Sequence, residues 1–155
     1  MSPARSRRTA RWSPRPTREA PRIAVVLALI ERRGRLLVCQ RRPGPNLGGY
    51  WEFPGGKREA GETWEACVRR EMREELGVTV RAIREWDRFS YRYPEQRVRF
   101  RVFRCALGAQ APRPLAAQRL RWVSAARLKR YRFPPANRVV IERLTRRCPS
   151  RRAVV

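Results

Sequence analysis

The chain has 155 residues, 38 of them lysine or arginine against 13 acids, for a formal charge of +25 with no histidine at all. That length suits one domain with a real core, and no apolar run approaches the roughly 18 residues of a membrane span. Cys39, Cys67, Cys105 and Cys148 stand singly with no CxxC pair, which argues against a disulfide framework and against zinc, and points to a reducing, cytoplasmic setting without a membrane partner.

Residues 1–21 are arginine-rich, carry no acid before Glu19 and are interrupted by Pro3, Pro14, Pro16 and Pro21; a disordered basic tail is expected there. Residues 22–147 read as the single domain, and 148–155 as a frayed tail. Ile23 to Ile30 is a continuous apolar run of strand length, suited to a strand covered on both faces. A turn at Glu31 to Arg35 leads to a second strand, Leu36 to Arg41, completing a hairpin. Arg42 to Tyr50 is rich in glycine and proline, so a loop is expected, followed by a brief extended segment at Trp51-Glu52-Phe53. Thr63 to Gly77 has helical periodicity with an apolar stripe at Val68, Met72 and Leu76, and Gly77 supplies a left-handed stop.

Beyond it, Val78 to Trp86 and Arg88 to Tyr93 read as strands. Val98, Phe100 and Val102 then alternate with Arg97, Arg99 and Arg101, giving a strand with one apolar and one basic face. Gly108 to Gln118 is loop, Leu120 to Val123 a strand, and Ser124 is positioned to cap a short helix at Ala125 to Leu128. A final helix follows Phe133-Pro134-Pro135-Ala136-Asn137, with Val140, Ile141 and Leu144 on its apolar face. These elements predict an α/β fold, with a mixed β-sheet between helices.

Chemistry concentrates on the first long helix. Glu71, Glu74 and Glu75 fall at i, i+3 and i+4 and share one flank. Like charges that close repel unless a cation neutralises them, and oxygen-only ligands suit a hard ion such as Mg2+, with Mn2+ as a substitute. Arg69, Arg70 and Arg73 are the competing explanation, since they too can pair with these glutamates.

Gly56, Glu62, then Arg70-Glu71-Met72, Glu74-Glu75 and Gly77-Val78 stand at the spacing of the Nudix box, and on these residues the chain resembles the Nudix hydrolases. The resemblance implies the Nudix α/β/α sandwich and a metal-binding loop-helix-loop that positions a nucleotide diphosphate. Metal binding then falls to Gly55, Gly56, Glu71, Glu74 and Glu75, catalysis to Glu71, Glu74, Glu75 and Arg70.

Outside the box the likeness is to the MutT type. Trp51-Glu52-Phe53-Pro54-Gly55-Gly56-Lys57 resembles its LEFPGGK stretch, Tyr93-Pro94-Glu95 its FPD turn, and Phe133 to Asn137 its FPPAN segment. On that pattern Asn137 reads a purine edge, Phe53 lies against the base, Arg41 contacts its polar edge, Glu52 supports the pocket and Lys57 touches the phosphates. For Phe53 plain core packing, and for Asn137 a helix N-cap, are the other readings.

The likeness implies hydrolysis of 8-oxo-dGTP to the monophosphate and pyrophosphate by a monomer. A pyrimidine-type enzyme for CTP or damaged dCTP, and a non-catalytic module binding nucleotide or RNA, are the alternatives. One position departs: where MutT-type chains carry a further loop glutamate this chain has Ala116, and no acid occurs from Gln96 to Ile141. The positive charge attracts polyanions, and Arg97, Arg99 and Arg101 are expected to give weak, sequence-independent nucleic-acid binding. An arginine bias of the genome would spread charge along the chain in the same way.

Overall fold

The computed structural model describes residues 23–147; the tails expected at 1–21 and 148–155 lie outside the described residues. Strand β1 (Ile23–Arg32) is central. Its side chains alternate between two cores because successive strand residues point to opposite faces. Val26, Ala28 and Ile30 pack with Cys67, Val68, Met72 and Leu76 of helix α1 (Trp64–Leu76), while Leu27 and Leu29 share the other core with Val140, Ile141 and Leu144 of helix α2 (Pro135–Arg147). A run that is apolar at every position is what a strand buried on both faces requires.

Strand β2 (Arg35–Gln40) returns antiparallel through Arg33 and Gly34, whose φ values of 51° and 70° are both positive, as a type I′ hairpin turn demands. Beside β2 lie β3 (Trp51–Glu52) and β7 (Arg119–Ser124), both antiparallel to it. On the other side, β1 runs parallel to β6 (Arg97–Leu107), from Ile23↔Val98 to Ile30↔Cys105, and β6 pairs antiparallel with the edge strand β5 (Val80–Arg92). The sheet is therefore mixed and lies between helices, the α/β/α sandwich that was expected. A short strand β4 (Gly55–Lys57), not anticipated from the sequence, pairs with β1 and fixes the glycine loop against it.

Three local expectations are corrected. The two strands read at Val78 to Trp86 and Arg88 to Tyr93 are one strand, β5, which crosses Asp87 with irregularities between Arg81 and Arg84 and between Glu85 and Asp87. Asp87 is tolerated there because Arg143 of α2 donates to its Oδ2 at 2.9 Å. Ser124 makes no side-chain cap bond, and Ala125–Arg130 is a 3₁₀ helix. Helix α2 begins at Pro135, so Asn137 lies inside its first turn and is not its N-cap.

Among the described residues no helix is long and apolar enough to cross a membrane. Cys39, Cys67 and Cys105 are free and buried. Burial pushes the Cys67 and Cys105 thiols up to about 12, as expected of inert core cysteines.

Candidate active site

Helix α1 starts where Thr63 accepts a hydrogen bond from the Ala66 N–H at 3.1 Å, and ends at Gly77, left-handed at φ 66°. Val68, Met72 and Leu76 are fully buried, which turns Glu71, Glu74 and Glu75 along the margin of the core. Glu71 and Asn137 are the two buried polar or charged side chains among the described residues, at 8% and 6% exposure. A fold rarely buries a carboxylate or amide without assigning it partners.

Arg70 is the hub of the carboxylate flank. Its Nε and Nη2 grip both oxygens of Glu62 at 2.9 and 3.1 Å, its Nη1 donates to Glu71 at 2.8 Å and Glu74 at 3.1 Å, and Nη2 also donates to the Lys57 carbonyl at 3.0 Å. A planar guanidinium is the side chain able to serve so many acceptors at fixed angles. Its hydrogen bond holds the Glu62 carboxyl down at about 2, and the Arg70 guanidinium is itself held more firmly protonated than usual.

Glu71 behaves differently. Burial raises its carboxyl above the usual range, against the opposing hydrogen bond from Arg70. The carboxylate fills the space beside Gly56 that a Cβ would occupy. Gly55, at φ 152°, likewise leaves no room for a Cβ against the Val26 carbonyl. Its N–H donates to Glu75 Oε2 at 3.0 Å. Burial lifts Glu75 to about 8 despite that bond, with the charges of Glu71, Glu52 and Glu74 adding to the rise.

The loop side of the site is carried by β2 and β3. Arg41 pairs with Glu52 at 2.9 Å and donates to the Asn46 carbonyl at 3.0 Å, tying the pair to the 42–50 loop. Burial raises the Glu52 carboxyl even so. Phe53 is 1% exposed and its ring lies 5.7 Å from Phe133, so its side chain is part of the core. Asn137 Oδ1 accepts the Phe53 N–H at 3.0 Å, and among the described residues no acceptor is paired with its Nδ2. Lys57 is exposed on β4.

The NUDIX domain profile matches residues 25–143. The chain belongs to the Nudix family. It is 34% identical over 111 residues to the 8-oxo-dGTP diphosphatase of Haemophilus influenzae, covering 72% of this chain and 82% of that protein. Over a shorter stretch of 56 residues it is 48% identical to the CTP pyrophosphohydrolase of Escherichia coli, 36% of this chain and 42% of that one. The MutT Nudix hydrolase structure from Burkholderia pseudomallei superposes with a TM-score of 0.72 at 25% identity, covering 81% of this chain and 99% of that chain. The protein is thus a Nudix hydrolase, an enzyme of phosphorus anhydrides, and its ancestry is of the MutT kind.

Nudix hydrolases generally use divalent metals. Here the donors fit a hard cation in kind, being carboxylates of one helix flank facing two glycines whose missing side chains leave the backbone approachable. Among the described residues no three acidic or thiol side chains converge on one point. Arg70 draws Glu71 and Glu74 to one side, and the Gly55 N–H holds Glu75 on the other. Of the two readings set against each other in the sequence, the pairing of arginine with glutamate is present at Arg70, which holds Glu71 and Glu74.

Glu62 was part of the box resemblance but not of the expected site, although it receives both arms of the Arg70 fork. Its signal was its place in the box. The loop bearing Ala116 docks on the carboxylate helix: the Arg113 N–H donates to the Leu76 carbonyl at 2.9 Å and the Leu115 N–H to the Glu75 carbonyl at 3.0 Å. Ala116 is exposed one residue beyond that contact.

Proposed function

We propose that this Nudix hydrolase is a divalent-metal-dependent nucleoside triphosphate diphosphatase whose substrate is 8-oxo-dGTP, with magnesium as the metal and manganese as its substitute. The observation that carries the reading is Glu71, a carboxylate buried to 8% exposure in the space left by Gly56 and held by an arginine that also grips Glu62 and Glu74. A solvated charged helix has no use for that arrangement.

Glu71, Glu74 and Glu75, with the backbone at Gly55 and Gly56, would hold the metal. When bound it neutralises phosphate charge and lowers the pKa of water at the site. The chain's own groups do the rest. Arg70 fixes the carboxylates through its fork, and Lys57 balances charge on the phosphates. Water attacks the β phosphorus, the bond from that phosphorus to the α-bridging oxygen breaks, and the monophosphate departs with that oxygen. The proton of the attacking water passes to a carboxylate of the α1 flank, and pyrophosphate is the second product.

At the base end, Asn137 has its Oδ1 committed to the Phe53 N–H, which leaves its Nδ2 to donate to the edge of an oxidised purine. Arg41, steadied by Glu52, contacts the polar edge of the base, and Phe53 backs that wall from the core. The identity to the CTP pyrophosphohydrolase across 56 residues supports a second reading, hydrolysis of CTP or damaged dCTP.

A turnover panel of 8-oxo-dGTP, dGTP, CTP and oxidised dCTP, each with magnesium and with manganese, separates the two. The purine reading expects the highest kcat/KM on 8-oxo-dGTP. A panel won by a cytidine nucleotide would move the substrate to the second reading.

A further inference from the structure

The apolar residues Val98, Phe100 and Val102 of β6 pack toward α2. The alternate residues Arg97, Arg99 and Arg101 therefore face the α1 side of the sheet. Register adds what the sequence did not place: Arg101 stands opposite Arg88, Arg99 opposite Ser90 and Arg97 opposite Arg92. Five arginines and one serine thus share the turn end of the β5–β6 ribbon.

Like charges directly opposite on neighbouring strands destabilise a sheet, and this face contains two such pairs, Arg88↔Arg101 and Arg92↔Arg97. Glu85 answers part of the charge, pairing with Arg88 at 2.7 Å and Arg101 at 3.1 Å. Among the described residues, Arg92, Arg97 and Arg99 are in no ion pair. At one end Trp64, the first residue of α1, steadies two cations: the Arg101 and Arg58 guanidinium groups lie 4.5 and 4.8 Å from its ring centroid. A groove of about 250 Å³ runs beside it, lined among others by Trp64, Arg88, Ser90, Arg99 and Arg101.

We propose that this face of the β5–β6 ribbon is a docking surface for single-stranded nucleic acid, separate from the nucleotide-hydrolysing site. Charge complementarity identifies the partner as a polyanion. Alternate strand residues recur about every 6.6 Å, close to the phosphate spacing of an extended polynucleotide, so Arg97, Arg99 and Arg101 meet successive phosphates. A groove of about 250 Å³ suits one strand better than a duplex, and the arginines that line it meet phosphates. Binding is electrostatic and indifferent to sequence.

The test compares three full-length proteins by fluorescence anisotropy on a labelled 12-nucleotide oligouridylate and on an RNA duplex of the same length, across a salt series. They are the wild type, the variant Arg92→Ser/Arg97→Ser/Arg99→Ser, and a control with the same charge change at the exposed Arg127, Arg130 and Arg146, each to serine. The ribbon variant should lose about 2 from the log–log salt slope, taking 0.7 per phosphate for a single strand, so its affinity relative to wild type falls by about 20-fold more at 50 than at 200 mM salt. Its thermal midpoint should not fall, because the Arg92↔Arg97 repulsion is removed, and turnover of nucleotide should be unchanged. Equal loss in the ribbon variant and the control, or tighter capture of duplex than of single strand by the wild type, would overturn the proposal.

Discussion

Asn137 carries one duty in the fold and a second in the proposed function. In the sequence it sits where a helix N-cap is expected, but Pro135 starts the helix and the amide oxygen instead receives the Phe53 N–H from β3's end. Asn137→Ala strands that buried N–H, so the unfolding free energy should fall by about 1–3 kcal/mol, read from urea midpoints. It should also shrink the preference for 8-oxo-dGTP over dGTP, mainly through KM. Asn137→Asp keeps an acceptor for Phe53 and removes the amide donor, so loss of discrimination there with little change in midpoint assigns the donor to the base. Glu71, Glu74 and Glu75 were legible as a shared flank because of their spacing, and the rest of the box through the family resemblance. Glu62 was harder to assign, since its role depends on how the loop folds back over α1 to meet Arg70.

At the scale of elements, two contacts between distant segments make testable claims. The 113–115 loop caps the end of α1, with the Leu115 N–H on the Glu75 carbonyl, which leaves the exposed Ala116 one residue beyond that contact. If what the site lacks there is a proton acceptor or accessory ligand, Ala116→Glu should raise kcat by about 10-fold or more; an unchanged rate would mean that a helix glutamate already does this work.

The second contact joins β5 to α2 through Asp87. Burial pushes that carboxyl up, but the Arg143 hydrogen bond, the Arg88 N–H and the charges of Arg143 and Arg147 outweigh it and hold it below its usual value. A lowered carboxylate contributes stability that is complete above its unfolded value of about 3.9 and disappears as pH falls through the folded one. Asp87→Asn should therefore unfold more easily at pH 7, with the difference from wild type closing below about pH 4. Asp87 was also where the sequence broke one strand into two. An acid reads locally as a turn signal, and the arginines that make it acceptable in β5 come from a helix more than 50 positions later.

Taken as a whole, the molecule was legible to the extent that its signals were periodic. The all-apolar run of β1, the alternation in β6 and the three-residue stripe of α1, spaced by four, each announce which face is buried, and together they imply a sheet covered on both sides. What stayed hidden depends on register: the arginine pairs across β5 and β6, the strand at Gly55–Lys57 and the seat of Glu71 against Gly56 all arise from segments distant in sequence.

The central claim is that the α1 carboxylates carry metal-dependent diphosphatase chemistry, and it is tested most directly by steady-state turnover of 8-oxo-dGTP with magnesium in the wild type and Glu75→Gln, alongside their metal-free thermal midpoints. Glutamine keeps an acceptor for the Gly55 N–H and replaces a carboxyl whose charged form burial and neighbouring carboxylates already disfavour, so the metal-free fold loses nothing it depends on. The account predicts that turnover is abolished while the midpoint stays level or rises. A Glu75→Gln protein that retains most of its activity would contradict it.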